Sequence, residues 1–283
     1  MDCGIGNPMN YQTLELTTTG SVATVTLNRP EVFNAFNETA IEELADCFRV
    51  LGGRDELRVI VLAARGKCFS AGADLVWMRR MAELSYQANF DDAYRLATML
   101  RTIHLCPKPV IARVQGDAFG GGVGLISASD IAVAVESVSF SLSEVKLGLI
   151  PATISPYVIR AIGARAARRY FVTAERFAAV EAHRIGLVHA VVTVDQLDST
   201  IQSVVAAISQ NGPHAVTETK QLIHDIDGRF FSEEVLRDTA ERIAHIRASD
   251  EAREGVRAFL EKRSPAWHKN GPGSMRPDSR HTN

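Results

Sequence analysis

Little in this 283-residue chain would staple, anchor or strongly charge it. Its four cysteines, Cys3, Cys47, Cys68 and Cys106, are scattered and form no C-x-x-C pair, which argues against a disulfide framework or a zinc knuckle. No H-E-x-x-H occurs and no histidine stands four residues from another, so no dedicated metal site is readable. The longest purely aliphatic run is Val59 to Ala64, far short of the roughly 20 residues a membrane span needs. The first residues, MDCGIGNPMN, carry neither a basic nor an apolar stretch and do not read as a secretory signal. Neither charge sign dominates. Lys and Arg total 31 against 33 Asp and Glu, leaving a net charge of −2, which supplies no global attraction for nucleic acid or an anionic membrane. The expected compartment is a reducing cytoplasm.

What is present fits an ordinary globular protein: 46% of residues are apolar and 23% charged. Residues 13 to 27 read as a hairpin, with Thr17-Thr18-Thr19-Gly20 as the turn. Asn37 is suited to cap a helix whose apolar face is Ile41, Leu44, Ala45, Phe48 and Leu51, with Glu38, Glu42, Glu43 and Asp46 on a solvated outer face. Strands are expected over Arg58 to Ala64, Val110 to Val114 and Asp130 to Val135, and a long helix over Asp91 to His104. Such alternation implies an α/β fold with largely parallel pairing. Beyond Val194 helical patterns dominate, and the polar stretch from Asn270 to Asn283 has no periodicity. The expected organisation is a core at 11–195, a helical region at 196–269 and a disordered tail at 270–283. No internal sequence repeat is visible.

Two glycine-containing segments each follow an expected strand: Gly66-Lys67-Cys68-Phe69-Ser70-Ala71-Gly72-Ala73-Asp74-Leu75 and Gln115-Gly116-Asp117-Ala118-Phe119-Gly120-Gly121-Gly122-Val123-Gly124. Neither has the spacing of a P-loop or a dinucleotide fingerprint, and Cys68 to Gly72 lacks the first glycine of a nucleophile elbow. Both can expose backbone N–H groups, and Gly120 to Gly122 opens a helix-compatible run. Two such donors from separate loops can clamp a carbonyl oxygen as it gains negative charge. Tight strand-to-helix turns are the plainer use of the same glycines. Glu144 stands among apolar neighbours just before a turn. Partial burial would raise its pKa and suit it to acid/base work; the alternative is a surface glutamate paired with Lys146.

These segments, with Leu27-Asn28-Arg29-Pro30, Asn34-Ala35-Phe36, Glu144 to Pro151 and Phe259-Leu260-Glu261-Lys262-Arg263, resemble the crotonase (enoyl-CoA hydratase/isomerase) superfamily over roughly residues 11 to 268. The resemblance implies an α/β fold with a ββα spiral core, a helical C-terminal trimerisation region and acyl-CoA substrates. It further implies that coenzyme A is part of the substrate, with no separate cofactor, and that the assembly is a homotrimer or dimer of trimers. The resemblance puts the oxyanion donors at Ala73 and Gly121 and the catalytic glutamate at Glu144. Asp74, Leu75 and Val76 would line the acyl pocket, and Ala35, Ala71 and Gly120 complete the substrate-binding set. Arg29 and Lys262 would meet CoA phosphates, Lys262 across a subunit interface. Trp77 and Met78 either wall the acyl pocket or pack the core, and Arg165, Arg168 and Arg169 read as a helix surface. Cys68 is a small buried residue rather than a nucleophile.

The first of the family's two catalytic glutamates falls at Gly124 and is missing. Phe119 to Leu125, Phe140 to Glu144, Ile150 to Pro156 and Arg165 to Tyr170 resemble a bacterial subgroup of methylglutaconyl-CoA, carboxygeranoyl-CoA and isohexenylglutaconyl-CoA hydratases, in which glycine there is familiar. Gly124 is expected to leave room for a branched β-substituent. The implied reaction is hydration of a β-branched 2-enoyl-CoA through a single glutamate. An enoyl-CoA isomerase and a non-catalytic acyl-CoA binder are the alternatives.

Overall fold

A computed structural model describes residues 10–270. Cys3 and, apart from Asn270, the expected tail lie outside the described residues. In chain order the elements are β1 (Leu14–Thr19), β2 (Val22–Leu27), α1 (Glu38–Gly52), β3 (Val59–Ala64), β4 (Cys68–Ser70), α2 (Leu75–Met81), α3 (Tyr86–His104), β5 (Val110–Val114), β6 (Asp117–Phe119) and α4 (Gly121–Ala128). Then follow β7 (Ile131–Val135), β8 (Ser139–Ser141), α5 (Ser155–Thr173), β9 (Phe177–Ala178), α6 (Ala179–Arg184), β10 (Ala190–Val192), α7 (Leu197–Ser209), α8 (Pro213–Ile226), α9 (Glu233–Ala248) and α10 (Asp250–Leu260).

One sheet has six strands in the order β1-β2-β3-β5-β7-β10, the other four in the order β4-β6-β8-β9. Among the described residues only the β1–β2 and β8–β9 pairs are antiparallel. A long strand joins the first sheet, a short strand joins the second, and a helix follows. This unit recurs as β3-β4-α2, β5-β6-α4 and β7-β8-α5. It is the α/β spiral of ββα turns the resemblance implies. The repeat is one of geometry, which explains why no sequence repeat marks it.

All six residues of β3 are buried, as a strand covered on both faces requires. In α1 the Asn37 side chain accepts from Ala40 N–H, and Ile41, Leu44, Phe48 and Leu51 are buried. The acidic face of α1 does more than face water. Glu43 accepts from the amides of Gln12 and Thr13 at 2.7 and 2.8 Å, and Asp46 accepts from the Tyr11 hydroxyl at 2.9 Å. The hairpin turn is tighter than expected: Thr19 pairs with Val22, and Gly20 takes φ 59. The first position of a two-residue loop with φ > 0 selects glycine. Helix α3 starts earlier than expected because Ser85 caps it, accepting from Ala88 N–H. Among the described residues no helix is long and apolar enough to cross a membrane.

Candidate active site

The site is assembled by main chain. After β2, Phe33 and Asn34 both take φ 54, a left-handed conformation that asparagine accepts and phenylalanine rarely does. Asn34 holds the turn with its side chain, accepting from Arg29 N–H at 2.9 Å and donating to the carbonyls of Arg65 and Cys68 at 2.8 and 2.9 Å. The strained loop then grips the segment after β4. Ala71 N–H donates to Phe33 C=O at 2.9 Å, Phe36 N–H to Gly72 C=O at 2.6 Å, and Asp74 N–H to Phe36 C=O at 2.9 Å. In this parallel bridge between Phe36 and Ala73, the Ala73 amide points away from Phe36.

Gly72 lies against the second loop. A Cβ there would stand 2.9 Å from Phe119 O and 3.4 Å from the Gly121 nitrogen. Ala73 and Gly121 therefore come from separate ββα turns to one place. Gly120 takes φ 48, donates its N–H to Ser141 C=O at 2.9 Å and offers no side-chain cap to α4. A helix start leaves its first amides without intrahelical partners. Among the described residues, neither the Ala73 nor the Gly121 N–H donates a hydrogen bond. Two free, rigidly held donors side by side have the form of an oxyanion hole.

Glu144 begins the 3-10 turn after β8. Its Oε1 would be 3.0 Å from a Cβ on Gly120, so the carboxyl group rests over the glycine that precedes the Gly121 amide. Its Oε2 is buried without a partner. Burial pushes the Glu144 pKa above the ordinary carboxylate range, with its own backbone pulling weakly the other way. Among the described residues it makes no ion pair, so the reading of a surface glutamate paired with Lys146 is not what the fold contains.

Other expected site residues are placed differently. The Asp74 carboxylate is turned into the scaffold, accepting from Val76 N–H at 2.8 Å and Trp77 N–H at 3.4 Å and pairing with Arg29 at 3.0 Å. Burial works to raise its pKa, but these bonds outweigh it and hold the carboxyl below the usual range. Asp74 thus caps α2 with its side chain. The Arg29 guanidinium likewise pairs with Asp74 and donates to Ala35 C=O at 2.6 Å. Leu75 and Val76, 79% and 72% exposed, open α2 beside the first loop. Trp77 is buried and bonds Asp92 through Nε1 at 3.3 Å, which favours core packing. Lys262 is exposed just past α10, and α10 packs chiefly on α8 and α9, away from Glu144. Arg165 and Arg168 are exposed on α5, and Arg169 pairs with Glu175. Cys68 is buried with its thiol pushed up to about 11, chiefly by burial, which suits packing and not nucleophilic attack. No group of three or more His, Cys, Asp or Glu among the described residues is placed to hold a metal ion.

Gly124 overturns one expectation. It is buried, and a Cβ on it would stand 2.3 Å from Ile154 Cγ2 and 3.7 Å from Leu100 Cδ2. The space left by the missing carboxylate is filled by Ile154, not vacant. The structure adds roles for Asn34, Phe36 and Ile154. The pair Asn34–Phe36 was visible as a motif, but nothing local marks a residue that fills space opposite a glycine thirty positions earlier.

The wound sheets and the paired amides on successive turns define an enzyme of the crotonase class. Solved structures agree. An enoyl-CoA hydratase from Shewanella pealeana is 46% identical, with TM-score 0.88 over 90% of this chain and 96% of that one. An enoyl-CoA hydratase from Mycobacterium smegmatis is 36% identical, with TM-score 0.86 over 90% of this chain and 99% of that one. The Mycobacterium bovis protein named probable enoyl-CoA hydratase echA8 is 32% identical over 265 residues, 92% of this chain and 99% of its own length. The model of the enoyl-CoA hydratase/isomerase family matches residues 17–270, and the chain belongs to that family.

Proposed function

We propose that this protein hydrates a β-branched 2-enoyl-CoA: 3-methylglutaconyl-CoA to 3-hydroxy-3-methylglutaryl-CoA, or the isohexenyl or carboxygeranoyl analogue. The observation that carries the reading is the free Ala73 and Gly121 amides beside a half-buried carboxylate whose Oε2 has no partner. The thioester oxygen accepts from both amides, which makes the β-carbon electrophilic. Glu144 takes a proton from water as the water oxygen bonds to the β-carbon. The resulting enolate rests its charge on the two amides. Glu144 then returns the proton to the α-carbon, so one water is added and nothing is oxidised or reduced. What supports a branched substrate is apolar character and not room: an isoleucine packs over Gly124 where a second carboxylate would stand. An alkyl branch suits such a wall, and a second activated water does not.

The test is to incubate purified protein with 3-methylglutaconyl-CoA and follow loss of the conjugated-thioester absorbance, with the product mass measured. Wild type should give the hydrated product, and Glu144→Gln should lose about 10²–10⁴ in rate. A lone carboxylate also suffices for an isomerase, so a β,γ-enoyl-CoA is run beside it. Conversion without hydration would replace this reading with the isomerase, and binding without turnover would leave an acyl-CoA binder.

A further inference from the structure

Resting on the enoyl thioester reading above, we infer that Ile154 sets the size of β-substituent the site accepts. Gly124 N–H donates to Gly120 C=O at 3.1 Å, so Gly124 lies one turn along α4 from the cap glycine, about 6 Å along its axis. Glu144 lies over the first, with Oε1 3.0 Å from its would-be Cβ, and Ile154 over the second, with Cγ2 at 2.3 Å. The proton-moving carboxylate and the isoleucine are therefore successive groups one turn apart along α4. Ile154 is 2% exposed and Leu100 fully buried, and together they close the seam between α3, α4 and α5. One turn further along these helices, His104, Ser127 and Tyr157 line a cleft of about 380 Å³, shared with the charged Asp130, Arg160 and Asp227. Ile154 is thus the wall between the carboxylate and existing space. A methyl branch packs against its side chain. A longer chain needs that side chain shortened before it can follow the seam into the cleft, which sets 3-methylglutaconyl-CoA ahead of the isohexenyl and carboxygeranoyl analogues.

The experiment measures kcat/KM for wild type, Ile154→Ala and Ile154→Val on two series. One is β-methyl against β-hexyl 2-enoyl-CoA; the other is straight-chain 2-enoyl-CoA of four to ten carbons. Wild type should prefer the short member of each. Ile154→Ala should shift the long-to-short ratio upward by about tenfold or more, the scale set by one or two methylenes in an apolar pocket, and Ile154→Val should shift it less in the same direction. If Ile154→Ala does not fold, as judged by circular dichroism, the Val variant carries the comparison. The double variant Gly124→Ala with Ile154→Ala returns a methyl to the same place from the opposite side and should restore part of the short-chain preference. A general loosening of the fold would not be reversed in this way. An unchanged ratio in a folded, active Ile154 variant overturns the inference alone. Hydration of straight chains only overturns the branched reading while the chain-length series still reads Ile154. No turnover of either series overturns both.

Discussion

Glu144 is held where folding disfavours its charge and chemistry uses it. Its pKa is raised by burial above the unfolded value of about 4.3. A group whose folded pKa is raised contributes stability below its unfolded pKa and loses it as pH rises through the folded one. Glu144→Gln should therefore be more thermally stable than wild type at pH 7, with the gain shrinking to nothing as pH falls toward 4; melting curves at both pH values check this. The same shift has a kinetic consequence. A base must be ionised, so the acidic limb of kcat/KM should fall at a midpoint above the ordinary glutamate value and vanish from the residual activity of the Gln variant. At this scale the sequence was legible where a residue carries its own chemistry: a glutamate among apolar neighbours, glycines after strands. It was illegible where the meaning lies in a partner far along the chain, as with Ile154 over Gly124 and Asn34 bonded to Arg65 and Cys68.

Helix α2 shows how an element can be set by a single cap. Asp74 accepts from two of its first amides and pairs with Arg29, which in turn holds Ala35. Loop, cap and first donor form one connected piece, since Asp74 directly follows Ala73. Asp74→Ala removes the cap and leaves a largely buried guanidinium without its carboxylate, at a cost of about 2 kcal/mol. Chemical denaturation should show that loss, and kcat should fall with it because the Ala73 amide is no longer held; Asp74→Asn, which keeps the cap, should retain more of both. Elements with a full period were readable in advance: α1 with its Asn37 cap, β3 and β5. Strands β4, β6 and β8 have three residues each, too few for an alternation to register. They are nonetheless the strands that deliver the two donor loops and Glu144.

Across the whole molecule, much apolar surface is left open on the helical part. Phe230 and Phe231 are 92% and 96% exposed, and Phe259 and Leu260 82% and 73%. Exposed apolar clusters of this kind mark contact surfaces. We propose a homotrimer or a dimer of trimers. Light scattering on the purified protein should give three or six times the chain mass of 30.9 kDa, and Phe230→Ser with Phe231→Ser should shift the protein toward smaller species. A chain-mass value for wild type would remove the proposal. The α/β class and the late helical run were legible from composition and periodicity. The stacking of two sheets was not, because the turns that wind it share shape without sharing residues.

The donors that meet between Gly72 and Phe119 belong to the main chain, and that has an evolutionary consequence. Proline alone among substitutions deletes a backbone N–H; any other can only shift its surroundings. The chemistry is thereby inherited with the shape, while side chains around it, such as the one over Gly124, are free to vary without erasing it. A lineage built on this scaffold can change which acyl chain it takes by single replacements and remain an active enzyme at every step.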